Sequence, residues 1–352
     1  MAKHTSFSYV PDTGWTGTGF EIAHSPAALS EISLSMPTRG GDPISIPVQS
    51  VTVNGSKLRI KTDDFNYRGG WTLTIGSDTY TRADMDNEDV EGLEAYAAKK
   101  DGEVIYRLHS PAAKAPRPLL LYLHGGGNGG TDNITHLCAD YGPIQFAEKY
   151  PDFYIMAPQA PQPENWAMPA GGSTFGNDFA HSDQVGKNGW YREYLAAVCD
   201  IIRGMIADGK VDRRRVYVTG LSMGGAGTLR AMSVGADLFA AAAPVCPSMT
   251  PETFGILKNL TNAKIWISTS YVDHTIYRHK YIVDGILALR DAGNQNAHLT
   301  LYSPEELAAY GIATDPDMPL AARFGANHAA WVLTYHNEHG ILSWLTEQVL
   351  SL

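Results

Sequence analysis

The chain has 352 residues, 44% hydrophobic and 18% charged, the balance of a globular protein with a large core and one large or two unequal domains. A net charge of −10 and the lack of any Lys/Arg run longer than three residues exclude a nucleic-acid partner from the expectations. Three scattered cysteines, Cys138, Cys199 and Cys246, exclude a disulfide framework or a zinc site, and no segment approaches the roughly 18 apolar residues of a membrane span.

The first residues, Met1 to Ser6, lack the apolar stretch of a signal peptide, so the expected setting is cytoplasmic. Up to Glu88, short alternating runs recur between turn signals: Leu29 to Ser35, Ile44 to Val53, Lys57 to Lys61, Trp71 to Ile75 and Thr79 to Arg82. Asn54-Gly55 is a hairpin signal, because a type I′ turn needs positive φ at both central positions. Residues 1–88 therefore read as a small all-β module, short for an immunoglobulin-like sandwich, with the acidic Asp84 to Glu88 as linker. This module is also the candidate surface for forming a homo-oligomer.

From 89 to 352 strands and helices alternate, which predicts an α/β domain: a mostly parallel sheet covered by helices on both faces. Expected strands are Glu103 to Leu108, Leu119 to Leu123, Phe153 to Ala157, Val216 to Thr219, Ala240 to Val245, Ile265 to Thr269 and Leu299 to Tyr302. Expected helices are Leu137 to Glu148, Tyr191 to Ala207, Gly225 to Ser233, Tyr281 to Ala292 and Trp331 to Val349.

Within that alternation, Gly220-Leu221-Ser222-Met223-Gly224 lies between a β-branched run and a helix-compatible stretch. Strand, sharp turn, helix is the setting in which G-x-S-x-G is a nucleophile elbow. A serine hydroxyl is a weak nucleophile and needs a base, and that base needs a carboxylate to hold it. In such sheets the order is Ser, then acid, then His, each on a loop after a strand. His328, in a loop before the last helix, meets the requirement. His298 begins a strand, His336 and His339 fall in the final helix, and His274 and His279 follow the strand ending near Thr269. Asp273 sits just past that strand and is the expected acid. Asp284 and Asp291 belong to a helix, and Asp315 and Asp317 to a Pro-containing turn. The oxyanion of the tetrahedral intermediate is assigned to the N–H groups of Met223 and Gly126, with Gly125 or Gly127 as alternates, in the loop His124-Gly125-Gly126-Gly127. His124 reads as a loop anchor.

On these residues, about 100 to 352 resemble the α/β-hydrolase superfamily. Within it, LLLYLHGGG, DRRRVYVTGLSMGGAGT, AAAAPVC, SYVDHTIY and GANHAAWVLTY are similar to the esterases related to polyhydroxybutyrate depolymerases, feruloyl esterases and predicted peptidases. The acid loop departs from that pattern, since His274 follows Asp273 where relatives often carry Pro. The resemblance implies an α/β-hydrolase fold, an N-terminal immunoglobulin-like module, and hydrolysis of small or carbohydrate-linked carboxylic esters with no cofactor or metal. Trp166, Trp190 and Trp331, with Tyr191, are candidates for lining the substrate pocket, and the long segment from Pro161 to Asn188 for bordering it. A serine peptidase of the same fold and a non-catalytic binding protein are the competing readings.

Overall fold

The computed structural model describes residues 3–24, 31–38, 41–113, 116–161, 189–273, 276–312 and 327–351. The chain divides into two compact units, one of Met1–Ala95 with Cys138–Ile144 and the other of Tyr96–Leu137 with Gln145–Leu352.

In the first unit, β1 (His4–Tyr9), β2 (Thr16–Ala23), β3 (Ile32–Met36), β4 (Ile44–Ile46), β5 (Val48–Asn54), β6 (Lys57–Asn66), β7 (Thr72–Ile75), β8 (Asp78–Tyr80) and β9 (Asn87–Val90) form two sheets. One has the order β5-β6-β2-β1-β9 and the other β4-β3-β7-β8. Strand β6 shows the cause: Leu58, Ile60 and Thr62 are buried while Arg59 and Lys61 between them are exposed, the period of two that a half-buried strand needs. Phe20 packs on Trp71 at 4.8 Å and Phe65 at 5.8 Å, an aromatic centre beside the fully buried Ile22, Leu34, Leu58, Ile60 and Leu73.

Three expectations are corrected here. The run from Ile44 to Val53 is two strands, because Pro47 lacks the N–H that would continue the ladder. The β5–β6 hairpin forms, but Asn54 pairs with Lys57, so Gly55 and Ser56 are its central residues. Only Gly55 has positive φ (62°), the pattern of a II′ rather than a I′ turn. The stretch expected as a linker is structured: β9 lies parallel to β1 from Thr5↔Asn87 to Ser8↔Val90, and Asp86 accepts the N–H groups of Lys3 and His4. The compact unit therefore runs past Glu88 to Ala95.

The second unit holds an eight-stranded sheet of β10 (Ala97–Asp101), β11 (Val104–His109), β12 (Arg117–Leu123), β13 (Tyr154–Pro158), β14 (Val211–Leu221), β15 (Ala241–Val245), β16 (Ile265–Ser270) and β17 (Ala297–Tyr302). Their order is β10-β11-β13-β12-β14-β15-β16-β17, with β10–β11 and β11–β13 antiparallel and the remaining pairs parallel. Its helices are α1 (Thr135–Cys138), α2 (Phe146–Lys149), α3 (Arg192–Ala207), α4 (Met223–Val234), α5 (Pro251–Asn259), α6 (Ile276–Asp291), α7 (Pro304–Ala309), α8 (Ala330–Tyr335) and α9 (Ile341–Glu347).

Leu119 to Leu123 in β12 are fully buried, as a strand covered on both faces must be. Leu119, Leu121 and Leu123 join one cluster with Leu195, Val198 and Ile202 of α3, while Tyr122 faces the other way onto Phe146 and Tyr335. The expected helix from Leu137 to Glu148 is only the short turns α1 and α2, separated by Gly142-Pro143, where Gly142 has φ 130°. The expected final helix is likewise broken. Asn337, His339 and Gly340 all have φ between 56° and 72°, so His336 and His339 lie in the turn between α8 and α9 rather than on a helix face. No described helix is long and apolar enough to cross a membrane.

Candidate active site

Strands β12, β14 and β16 are parallel, so their carboxyl ends bring His124, Ser222 and the residues after Ser270 to one edge of the sheet. Strand β14 ends at Leu221 and α4 starts at Met223, leaving Ser222 alone to make the turn. Its φ of 57° and ψ of −113° are unusual for a side chain and cost about 1–3 kcal/mol, which the packing around it must hold. That packing leaves no room for side chains. A Cβ on Gly220 would lie 2.5 Å from the Gly224 carbonyl oxygen, and one on Gly224 would lie 1.9 Å from that of Leu123. The Ser222 N–H donates to Val245 O at 2.9 Å, and Ser222 O accepts from Ser248 N at 3.0 Å and Ala226 N at 3.1 Å.

His328 stands just before α8. Its Nε2 is 2.8 Å from Ser222 Oγ and its Nδ1 2.9 Å from Asp273 Oδ2. An ionised carboxylate only accepts, so Nδ1 carries the proton and Nε2 presents its lone pair to the serine hydroxyl. The Asp273 side chain is fully buried and that of His328 is 5% exposed, so this pair sits away from water that would loosen it. Thr269 Oγ1 gives Asp273 Oδ2 a long additional bond of 3.4 Å, and Asp273 N–H closes a turn on Ser270 O.

Ser222 caps the start of α4. Met223 is its first residue, so its N–H has no acceptor within the helix and sits at the positive end of the helix dipole. Gly126 borders it: a Cβ built there would meet Met223 Cβ at 4.0 Å. His124 is fully buried; its Nε2 accepts the Ala160 N–H at 2.9 Å and its Nδ1 donates to Gly125 O at 2.7 Å. Those partners fix the neutral tautomer and make His124 a structural anchor for the glycine loop.

The other candidates separate. Trp190 is fully buried; its indole N–H donates to His124 O at 2.9 Å and its ring fills the space over Gly227. It is part of the wall's foundation and cannot line an open pocket, because no face of it is left uncovered. Trp331 is half-buried and meets the His328 ring edge-on at 5.6 Å. Tyr191 is half-buried at the start of α3. Trp166, His274, Asp315 and Asp317 lie outside the described residues. His298 meets Trp266 at a tilt, 5.1 Å between ring centres, and Trp344 edge-on at 5.4 Å, and His339 bonds Glu306 at 2.6 Å, so neither reaches Ser222. The sequence reading missed Gln159, whose amide bonds the loop after Gly127; a lone Gln after a strand gives no signal of its own.

A profile of the prolyl oligopeptidase family matches residues 166–300. No curated protein sequence matches the chain. Among solved structures, a thermostable esterase is 20% identical, covers 99% of this chain and 100% of its own, and superposes with a TM-score of 0.63. An acylaminoacyl peptidase from Pyrococcus horikoshii is 13% identical over 96% of this chain and 55% of its own, TM-score 0.46. An S-formylglutathione hydrolase from Staphylococcus aureus is 14% identical over 72% of this chain and 96% of its own, TM-score 0.46. At such identities the likeness to the esterase is one of fold, extending over both units. The chain therefore has the α/β-hydrolase fold, part of it matches the prolyl oligopeptidase family, and at the edge of its sheet a serine, a histidine and a carboxylate stand in hydrogen-bonded sequence.

Proposed function

We propose that the protein is a carboxylesterase working through an acyl-enzyme on Ser222, with His328 as base and Asp273 as its orienting acid. The observation that carries this reading is the unbroken relay from Asp273 Oδ2 through His328 to Ser222 Oγ, 2.9 and 2.8 Å. His328 Nε2 takes the hydroxyl proton as Oγ bonds to the ester carbonyl carbon. The carbonyl electron pair moves to oxygen, held by the N–H groups of Met223 and Gly126. Collapse expels the alkoxide, which leaves as the alcohol with the proton from His328. A water molecule, deprotonated by the same nitrogen, then releases the acid and restores Ser222.

A peptidase activity on the same residues is the second reading, favoured by the family match over residues 166–300. Turnover of p-nitrophenyl acetate and butyrate beside a peptide p-nitroanilide separates the two. No ester turnover, together with no labelling by a fluorophosphonate, would remove both and leave a binding protein. The half-buried Trp331 beside His328 supports a small or carbohydrate-linked ester, whose sugar or aromatic face it could stack. A panel of acetyl, butyryl, feruloyl and sugar-acetate esters tests that choice. The five- and four-stranded sheets of the first unit support kinship with immunoglobulin-like modules. Self-association through that unit is tested by the sedimentation mass of the full chain.

A further inference from the structure

Gln159 follows the last residue of β13 and is 1% exposed. Both of its main-chain groups are fixed: its N–H donates to Ile105 O of β11 at 3.0 Å, and its carbonyl accepts the Tyr194 hydroxyl of α3 at 2.7 Å. The side chain therefore projects from a rigid root. Its Nε2 donates to Asn128 O at 3.1 Å and to Asp132 Oδ1 at 2.9 Å, while its Oε1 accepts the Asn133 N–H at 2.7 Å. One amide thus bridges both halves of the loop that leaves β12 through Gly125, Gly126 and Gly127. The neighbouring Ala160 adds two ties, its carbonyl to Gly130 N at 3.0 Å and its N–H to His124. At the far end Asn133, with φ 56°, gives its side-chain N–H to Tyr106 O and takes the Arg107 Nε–H on its carbonyl.

We propose that Gln159 is a positioning residue for the oxyanion site, setting the height of the Gly126 N–H over Ser222; this rests on the triad reading above. The loop has few apolar side chains to pack, so its backbone must be placed by polar contacts, and an oxyanion donor is useful only within a few tenths of an ångström of its target. Only a primary amide of this length can meet the demand. Two donors are needed for the Asn128 carbonyl and the Asp132 carboxylate, and one acceptor for the Asn133 N–H.

Gln159→Glu is isosteric but brings a carboxylate against a carbonyl and a carboxylate. The titratable and charged groups around it are Asp132, Arg107, Tyr194, His124 and His136. Of these Asp132 opposes its ionisation and Arg107 favours it. His124 is held neutral by its bonds, and the Tyr194 hydroxyl is engaged with Gln159 O. Once protonated, the new side chain regains a donor and the shape of the amide. Near pH 8, kcat for p-nitrophenyl butyrate should fall about 10- to 100-fold with KM changed less than about threefold. The ratio of variant to native kcat should then climb toward one as the pH is lowered to about 5, a ratio in which pH effects common to both enzymes cancel. Gln159→Met, which keeps volume and loses every polar contact, should show the same kcat loss at all pH values while retaining a cooperative melt. A Gln159→Glu ratio flat in pH, native kcat in either variant, or a Gln159→Met chain without a cooperative melt would overturn the assignment. Ser222→Ala measured alongside keeps the two ideas apart. If it remains active the triad reading fails, and if it is dead while the Gln159 variants are native-like, only the positioning role fails.

Discussion

Two loops leave the same edge of the large sheet, and they are held in different ways. The elbow at Ser222 is held by exclusion: Gly220 and Gly224 are pressed against main-chain oxygens with no room for a methyl group. The glycine loop after β12 is held by side-chain hydrogen bonds: Gln159 reaches into it from the end of β13, and His124 and Asn133 at its two ends tie it to Ala160 and Tyr106. The first arrangement fixes a strained residue by denying it any alternative. The second sets a flexible backbone at a chosen height and can be retuned one contact at a time. Under the proposed mechanism, a nucleophile whose hydroxyl must meet one nitrogen suits the former, and an oxyanion site that must fit an acyl group suits the latter.

The sharpest way to separate chemistry from scaffold at the elbow is Ser222→Ala, which keeps the Cβ and the turn. It should lower kcat by about 10⁴- to 10⁶-fold with an unchanged melting curve; an active variant would put the nucleophile elsewhere. Asp273→Asn comes next, at about 10⁴-fold in kcat, because an amide can reverse the hydrogen bond and hold His328 in the wrong tautomer. Loss of less than tenfold would place the acid outside this contact.

The contrast between the loops themselves is tested by two alanines. Gly224→Ala drives a Cβ to 1.9 Å from Leu123 O and should destabilise the chain by about 3 kcal/mol or more, read in a denaturant titration. Gly126→Ala meets no atom closer than Met223 Cβ at 4.0 Å and should stay within about 1 kcal/mol of native stability. Equal losses would erase the distinction.

A pH-dependent effect concerns His136, which follows the glycine loop and donates its Nε2–H to Ala157 O at 2.9 Å. Burial pushes its pKa down from 6.5 to about 3. The folded chain excludes a proton that the unfolded chain takes up, so stability should decline as the pH falls from about 6.5 toward about 3. His136→Gln, which can keep the bond to Ala157, should flatten that part of the pH–stability profile. An unchanged slope would mean that other groups govern it.

How much of this was legible in the sequence follows the same division. The elbow could be read because the glycines that permit it are adjacent to the serine. Asp273 and His328 could be assigned because chain order and strand ends constrain them, and the structure puts both within hydrogen-bond distance of the relay. The alternation from residue 89 onward gave the parallel sheet. Gln159 could not be found, since its partners lie 26 to 31 positions away and nothing local marks it. Trp190 was misassigned to a pocket because aromatic character does not say which side of a wall a ring occupies. The final helix was drawn too long because apolar spacing continues across Asn337 to Gly340, and only their positive φ values reveal the break. Strands β1 and β2 escaped notice where Ser, Thr and Gly dilute the alternation.

The parallel pairing of β1 with β9 has a mechanical consequence. The strand that opens the first unit and the last strand before its exit lie side by side and point the same way. A pull between the start of the chain and Ala95 would load their bridging hydrogen bonds in shear, all at once rather than one after another. The first unit is therefore built to transmit tension along that line without unzipping. A cut at Glu88 would sever this seam in the middle of β9, so a separable fragment must end beyond Val90.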